Sequence, residues 1–301
     1  MERDNFAPIA KGRPASTIEF MAFRHVSHTA LKVGLVLITL NQKSGWKERL
    51  PDGLAELTER LLLAANVFGY GRHAIALAKQ SWAVRLSERS EKRIPGVFEG
   101  IGRRKLFMES RVLAAIKGGA NQVLVLGAGF DTLCLRLAPR FPQVKFLEID
   151  RPATSFAKEK GVSEVGKPEN MTLLAADLAT RPLSEVLSGA DCWNTDARSV
   201  GVAEGLFIYL GKEDVRSLFR EISYCTGPDS QVAFSYGIAI NRYPFTRAIL
   251  RLLGEPWLSS SASTDLPQYV GSGWSVVDSP PPTPESSLEG FAVVLKTLKD
   301  I

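Results

Sequence analysis

Cysteines and long apolar runs are both scarce in this chain. The three cysteines, Cys134, Cys192 and Cys225, lie far apart, and an odd number of widely spaced cysteines predicts neither a disulfide framework nor a cysteine metal site. The longest apolar run, residues 30–40, contains a lysine and is much shorter than the ~20 residues that a membrane span needs. The first residues carry acids and have no apolar core, so we expect no secretory signal. These absences favour a reducing, cytoplasmic compartment.

Signatures of several enzyme classes are also missing. The sequence has no H-E-x-x-H string, no C-x-x-C pair and no Walker A loop, so we expect no metal site and no P-loop. None of Tyr209, Tyr224 and Tyr236 has a lysine four positions later, which counts against an NAD-linked oxidoreductase. The string AFSYG at residues 233–237 is similar to a hydrolase nucleophile elbow. No helical pattern follows it, so we do not expect a serine nucleophile.

The positive charge is concentrated in the first part of the chain. The net charge is +5, and residues 1–120 hold about twenty Lys and Arg against eleven Asp and Glu. A surface that attracts an acidic substrate, a carboxylate or nucleic acid explains this excess, and so does a set of solvated helix faces. Because no basic stripe with interleaved aromatics is present, we expect no nucleic-acid partner. We also expect no membrane partner.

Two kinds of pattern divide the chain. Up to about residue 115 the apolar residues recur at helical spacing, as in residues 52–69, where Asp52 is the expected cap and Gly69 the expected stop. A second helix pattern, residues 103–119, ends at Gly118 and Gly119. After residue 121, strands alternate with helices. The predicted strands are residues 122–126, 144–149, 171–175, 199–203, 231–236, 274–278 and 291–298.

This alternation predicts an α/β fold. Repeated β-α-β units with nearly continuous apolar strands form a mostly parallel sheet that is covered by helices on both faces. We expect a helical cap or lid in residues 1–115 and a Rossmann-like ligand-binding domain in residues 116–301. Residues 239–270 are the expected position of a lid insertion near the carboxyl edge of the sheet.

The stretch QVLVLGAGFDT, residues 122–132, predicts the ligand site. A buried strand leads into Gly127 and Gly129, whose missing Cβ atoms allow a tight turn and a close approach of the backbone to a ligand. In a doubly wound sheet the ligand lies beyond the carboxyl end of the first strand. Asp150 ends the next strand, 23 positions after Gly127, where an acid can accept both ribose hydroxyls.

The type of cofactor follows from the residues after the glycines. Asp177 and Leu178 follow the third strand, beside the expected position of an adenine, and Glu204 follows the fourth. A dinucleotide site needs a third glycine where this chain has Thr132, and Asp131 would repel a pyrophosphate at the start of the helix. A carboxylate there suits the sulfonium and ammonium groups of S-adenosyl-L-methionine. We therefore favour this cofactor over NAD, which remains the alternative.

Several runs resemble one known family. GRRKLFMES, QVLVLGAGFDTLCLRL, KFLEIDRPAT, AADL and AEGLFIYL occur in this order between about residues 95 and 218. They resemble the leucine carboxyl methyltransferase family, which includes many bacterial proteins assigned as S-adenosylmethionine-dependent O-methyltransferases. The resemblance implies a class I methyltransferase sheet with an N-terminal helical cap.

The resemblance also implies roles for individual residues. Arg104 matches the arginine that pairs with the carboxylate of the cofactor. Gly127 and Gly129 match the glycines of the family's turn, and Asp150 matches the acid that binds the ribose. Asp177 and Leu178 match the pair beside the adenine, and Glu204 matches the acid near the methionine part. The chain differs from the family at Glu109, where the family has Asp, and in its N-terminal motif, where the basic residue is Arg24 or His25.

The acceptor is expected to be a carboxylate of a small molecule or peptide. A carboxylate is ionised at pH 7 and needs no general base, and Arg24 or Arg72 are candidates to orient it on charge alone. A hydroxyl or phenol acceptor is the alternative, and it needs a base such as His25, His28 or His73. A cofactor-binding regulator without catalysis is a third possibility. No catalytic residue is identified from the sequence.

Overall fold

A computed structural model describes residues 26–67, 71–238, 257–281 and 288–297. The candidates Arg24 and His25, the expected helix stop Gly69 and residues 239–256 of the expected insertion lie outside the described residues. Within the described residues, no helix is both long enough and apolar enough to cross a bilayer.

Seven strands of the described chain form a single sheet in the order β3-β2-β1-β4-β5-β7-β6. Strands β1 to β5 pair in parallel, and β7 runs antiparallel between β5 and β6. The strand order reverses at β1, and such a switch point opens a crevice at the carboxyl ends of the strands. The strands are β1 Gln122–Leu126, β2 Lys145–Asp150, β3 Met171–Ala175, β4 Ser199–Ala203, β5 Gln231–Gly237, β6 Trp274–Asp278 and β7 Glu289–Lys296.

Helices cover the sheet and precede it. Five described helices come before β1: α1 His28–Leu40, α2 Leu54–Ala65, α3 Gly71–Ala78, α4 Ser81–Arg93 and α5 Glu99–Lys117. Five more follow: α6 Leu133–Leu137, α7 Pro152–Val165, α8 Leu183–Ser188, α9 Lys212–Tyr224 and α10 Leu266–Val270. Short 3₁₀ helices lie at Ala138–Arg140, Phe207–Tyr209 and Ser263–Asp265.

The central strand explains the layering. Alternate side chains of a strand point to opposite faces. Val123 and Val125 pack in a core with α1, α2, α5 and α7, whereas Leu124 and Leu126 pack in a second core with α8, α9 and α10. Because both faces of β1 are covered, its sequence is apolar at nearly every position.

The predicted α/β fold with a mostly parallel sheet is confirmed. Five strands match within one residue at each end, β6 matches at both ends, and β7 begins at Glu289, two residues earlier than expected. Gly118 caps α5, as predicted. The predicted N-cap of α2 was wrong, because Gly53 and not Asp52 occupies that position. The helix ends at Ala65, since Asn66 adopts a left-handed conformation with φ of 44°.

One close contact joins the N-terminal helices to the helices of the sheet. Gly161 of α7 packs against α2, and a Cβ at this position would lie 2.8 Å from the backbone oxygen of Leu61 and 3.2 Å from the amide nitrogen of Ala65. Backbone atoms cannot move aside as a flexible side chain can. The glycine therefore sets the distance between the two helices.

We predict that Gly161→Ala lowers the free energy of unfolding by about 1–3 kcal/mol, because overpacking exceeds the ~1 kcal/mol of helix propensity that alanine gains. Gly100→Ala in α5 is the matched control. A Cβ at Gly100 meets nothing within 4 Å, so this variant should gain up to about 1 kcal/mol. Urea unfolding measures both, and equal stabilisation of the two variants would contradict the packing argument.

Candidate active site

A cavity of about 540 Å³ lies at the carboxyl ends of the parallel strands. This volume suits a ligand of nucleoside size. All seven residues that the sequence analysis selected for the cofactor line this one cavity: Arg104, Gly127, Gly129, Asp150, Asp177, Leu178 and Glu204. The sheet topology therefore brings together residues that span a hundred positions of the sequence.

The glycine turn after β1 forms the cavity floor. Gly127 and Gly129 have φ angles of 66° and 49°, in the left-handed region that residues with a Cβ rarely adopt. A Cβ on Gly127 would lie 3.0 Å from Leu206 Cδ1, and one on Gly129 would lie 3.0 Å from Ala30 Cβ. Conformation and space both require glycine at these positions.

Asp150 ties the end of β2 to this turn. Its Oδ2 accepts a hydrogen bond from the Gly129 amide at 2.6 Å, and its Oδ1 accepts one from the Arg151 amide at 2.7 Å. Burial raises the pKa of the carboxyl group, and these two hydrogen bonds oppose the rise. A carboxylate has about four acceptor positions, so each oxygen of Asp150 can accept a further hydrogen bond from a ligand.

Arg104 of α5 is paired with two carboxylates. Its Nε donates to Glu204 Oε1 at 3.0 Å, and its Nη1 donates to both oxygens of Glu289 at 2.9 and 2.8 Å. Arg104 itself is only 6% exposed. Burial by itself would lower the pKa of Arg104, but the charges of Glu289 and Glu204 outweigh burial and hold the pKa above its ordinary value.

Lys105 extends these contacts to the glycine turn. Its Nζ lies 2.7 Å from Glu204 Oε1 and 3.2 Å from Asp131 Oδ2. Asp131 Oδ1 accepts a hydrogen bond from the Leu133 amide, so this side chain also organises the start of α6. Burial alone would raise the pKa of Asp131, but nearby cations, Lys105 first, lower it to about 2.

These contacts define a charge cluster: Arg104, Lys105, Asp131, Glu204 and Glu289. Three carboxylates face two cations, so the cluster has a formal charge of −1. Glu204 Oε2 is buried and has no hydrogen-bond partner in the described part of the chain. Burying an unpartnered carboxylate oxygen is costly, and a cation that enters the cavity would relieve that cost.

Neither Glu289 nor a role for Lys105 was predicted from the sequence. Glu289 begins β7, and a residue at the start of a parallel strand would lie at the opposite edge of the sheet. Because β7 is antiparallel, Glu289 pairs with Gly237 at the end of β5, beside the cavity. The sequence shows an acid before the apolar run GFAVVL, but it does not show in which direction that strand runs in the sheet.

Other candidates lie away from the cavity. Glu109 is ion-paired with Arg136, with 2.6 Å between its Oε2 and Arg136 Nη1. Arg72 and His73 are exposed in α3, and neither they nor His28 line the cavity. The structure thus places none of the described acceptor-site candidates in this cavity.

The expected insertion contributes a described portion to the site. Trp257 lines the cavity. The next residues are anchored to the 3₁₀ helix that follows β4, because the Leu258 amide donates to the Ile208 carbonyl oxygen at 2.7 Å and Ser259 Oγ donates to the Phe207 carbonyl oxygen at 2.8 Å. Residues 257–259 therefore have a defined position beside the cavity.

Solved structures share the fold. A provisionally named methyltransferase from Thermobifida fusca superposes with a TM-score of 0.59 at 18% identity, over 80% of this chain and 94% of that one. A DUF574 family protein from Streptomyces avermitilis superposes with a TM-score of 0.52 at 13% identity, over 70% and 88%. At this identity the likeness shows the fold alone, a doubly wound α/β sheet.

The family follows from the sequence comparisons. The family model described as "Leucine carboxyl methyltransferase" matches residues 52–223, more than half of the chain. The chain belongs to this family, which confirms the resemblance drawn from its motifs. A provisionally named S-adenosyl-L-methionine-dependent methyltransferase of Mycolicibacterium gilvum is 28% identical over 184 residues, 61% of this chain and 59% of that protein.

A second relative, from a Parafrankia strain and with the same provisional name, is 29% identical over 132 residues, 43% of this chain and 42% of that protein. The chain thus spans about two fifths to three fifths of the length of these curated relatives.

We predict that the charge of Asp131 stabilises the fold in a pH-dependent way. Because the pKa is lowered to about 2, the stabilisation is complete above the unfolded-state pKa near 4 and is lost as the pH falls toward 2. Asp131→Asn keeps the acceptor for Leu133 and removes the charge. At pH 6 it should be less stable by about 2 kcal/mol, and this deficit should shrink by pH 3.

Urea unfolding of both proteins at pH 6 and pH 3 measures the deficit. The exposed Asp191→Asn is the control and should change stability little at either pH. A deficit for Asp131→Asn that does not depend on pH would contradict the proposed ion pairing with Lys105.

Proposed function

We propose that this protein binds S-adenosyl-L-methionine in the cavity and transfers its methyl group to an oxygen atom of an acceptor. The observation that carries the proposal is the charge cluster, which has a formal charge of −1 and in which the buried Oε2 of Glu204 has no hydrogen-bond partner in the described part of the chain. A cofactor with sulfonium and ammonium cations complements that charge, whereas the pyrophosphate of NAD would be repelled. Family membership and the names of the relatives support the same activity.

The nucleoside part fits the residues near the glycine turn. Asp150 can accept hydrogen bonds from both ribose hydroxyls, since each of its oxygens accepts only one hydrogen bond from the backbone. Asp177 and Leu178 line the same cavity, and we assign the adenine to them. Asp177 is itself oriented by the Ala179 amide, which donates to its Oδ1 at 3.0 Å.

The methionine part fits the charge cluster. We assign the ammonium group to Glu204 Oε2 and the carboxylate to Arg104. Within the described residues the Nε and Nη1 donors of Arg104 pair with Glu204 and Glu289, and we assign Nη2 to the carboxylate of the cofactor. Glu289 is then a positioning residue, because it fixes the plane of the guanidinium group.

The acceptor we propose is a carboxylate. The sulfonium supplies an already activated methyl group, so the task of the chain is to align the acceptor and exclude water. No histidine of the described residues lines the cavity, which favours an acceptor that needs no general base. Lys32 of α1 does line it and can orient an anionic acceptor. A hydroxyl or phenol acceptor stays the alternative.

The predicted domain division stays a proposal. Residues 1–115 would form the helical cap and residues 116–301 the cofactor-binding domain, with a lid in residues 239–270. Helix α5 ends at Lys117, two residues beyond the proposed boundary, and carries Arg104 into the site. A cytoplasmic location is likewise proposed.

Isothermal titration tests the cofactor and the role of Asp150. We predict that the protein binds S-adenosylmethionine and S-adenosylhomocysteine but not NADH. Asp150→Ala should weaken binding of both by more than ~1 kcal/mol, because a charge-assisted hydrogen bond to the ribose is lost. The exposed Asp191→Ala is the control. NADH binding without S-adenosylmethionine binding would refute the proposed activity, and wild-type affinity of Asp150→Ala would refute the ribose contact.

The two ends of the cofactor can be tested separately with 5′-methylthioadenosine, which lacks the ammonium and carboxylate groups. We predict that Arg104→Ala and Glu204→Gln each weaken S-adenosylhomocysteine binding by about 1–3 kcal/mol, the value of a hydrogen bond to a charged group. Neither should change binding of methylthioadenosine, whereas Asp150→Ala should weaken all three ligands. Equal losses for methylthioadenosine would mean that the cluster only maintains the fold of the cavity.

A further inference from the structure

Helix α4 leaves its large apolar side chains in solvent. Of the thirteen residues in Ser81–Arg93, only Ser87 is buried. Trp82 is 47% exposed and Leu86 is 52% exposed. Residues four apart lie on the same face of a helix, so these two side chains form one outward apolar stripe. Leu77, at the end of the preceding helix, is 53% exposed.

Cations surround this stripe. Arg85, Arg89, Lys92 and Arg93 are all exposed, and none of them forms an ion pair with a residue of the described ranges. Helical spacing places Arg89 and Arg93 on the face of Trp82 and Leu86, with Arg85 and Lys92 beside it. We call this set of six residues the α4 face.

Acidic residues offset little of that charge. Glu91 is turned toward the following loop, where its Oε2 accepts hydrogen bonds from the amides of Phe98 and Glu99 at 3.0 and 3.2 Å. Glu88 is exposed and lies at the margin of the α4 face. The face thus presents four positive charges around two apolar side chains.

We propose that the α4 face docks on the surface of an anionic lipid bilayer. Trp and Leu enter the boundary between headgroups and acyl chains, and the guanidinium and ammonium groups contact lipid phosphates. The long stems of Arg and Lys allow their charges to stay at headgroup level while Trp82 goes deeper. A nucleic-acid backbone matches the cations but offers no apolar counterpart to Trp82 and Leu86.

The helix is joined directly to the cavity. Ile94, Gly96 and Val97 follow α4 and line the cavity wall. Docking on this face therefore places the wall of the cavity near the bilayer. No run of the sequence is long enough to span a bilayer, and for that reason no membrane partner is expected from the sequence. Surface docking needs no spanning run and rests on the exposed side chains that the tertiary structure leaves on α4.

The test is co-sedimentation of the full chain with two kinds of vesicles, phosphatidylcholine alone and phosphatidylcholine mixed with phosphatidylglycerol. We predict binding to the mixed vesicles that weakens with added salt, and little binding to phosphatidylcholine alone. Arg89→Glu combined with Arg93→Glu should lower the partition coefficient roughly tenfold or more. Trp82→Ala combined with Leu86→Ala should cause a loss of similar size.

Matched controls separate the α4 face from general effects. Lys160→Glu with Lys167→Glu changes the net charge equally at exposed positions elsewhere, and Phe156→Ala with Tyr224→Ala removes aromatic side chains that are 57% and 68% exposed. Both controls should bind as the wild type does. Thermal unfolding checks that each variant is folded.

Three results would overturn the proposal. The first is equal binding to both kinds of vesicles, and the second is an equal loss in the control variants. The third is an absence of binding to the mixed vesicles. In that case, self-association that Trp82→Ala abolishes would identify a second copy of the chain as the occupant, and binding of duplex DNA that Arg89→Glu abolishes would identify a nucleic acid. Because none of these measurements requires a cofactor, they are independent of the proposed methyl transfer.

Discussion

The buried guanidinium group of Arg104 is the constraint on which the site depends. A buried charge is tolerated only when it is paired and hydrogen-bonded, and here the partners are Glu204 after β4 and Glu289 at the start of β7. Lys105, the next residue of α5, pairs with Glu204 and Asp131. One turn of a helix therefore ties together the ends of three strands, and the cavity is shaped around that connection.

The charge cluster has one carboxylate more than it has cations, so the cavity that the fold forms favours a cationic ligand. Arg104 and Lys105 neutralise two of the three acids, and Glu204 keeps an oxygen without a partner in the described residues. The glycine turn, bound to Asp150 through the Gly129 amide, brings backbone atoms close to the same space. A cationic nucleoside complements both features, and this complementarity is the basis of the proposed methyl transfer.

Most of the fold could be predicted from the sequence, and all seven cofactor-site candidates line one cavity, because their patterns are local. Apolar strands that alternate with helices specify a parallel sheet, and residues that follow such strands meet at one edge. The errors have equally local causes. The prediction of Asp52 as the N-cap of α2 was wrong because Gly53, in the left-handed conformation, occupies that position. Arg72 was selected on charge alone, and charge does not specify a position.

The sequence by itself determined which functional candidates follow a buried strand: the glycine turn, Asp150, Asp177 and Glu204. It could do so because the spacing of apolar residues, which predicts a strand and its burial, depends only on residues close together in the sequence. Only the tertiary structure decided that Glu289 joins them. Strand β7 runs antiparallel beside β5, so the start of β7 lies at the carboxyl edge. Strand direction depends on pairing between residues distant in sequence, and no local pattern records it.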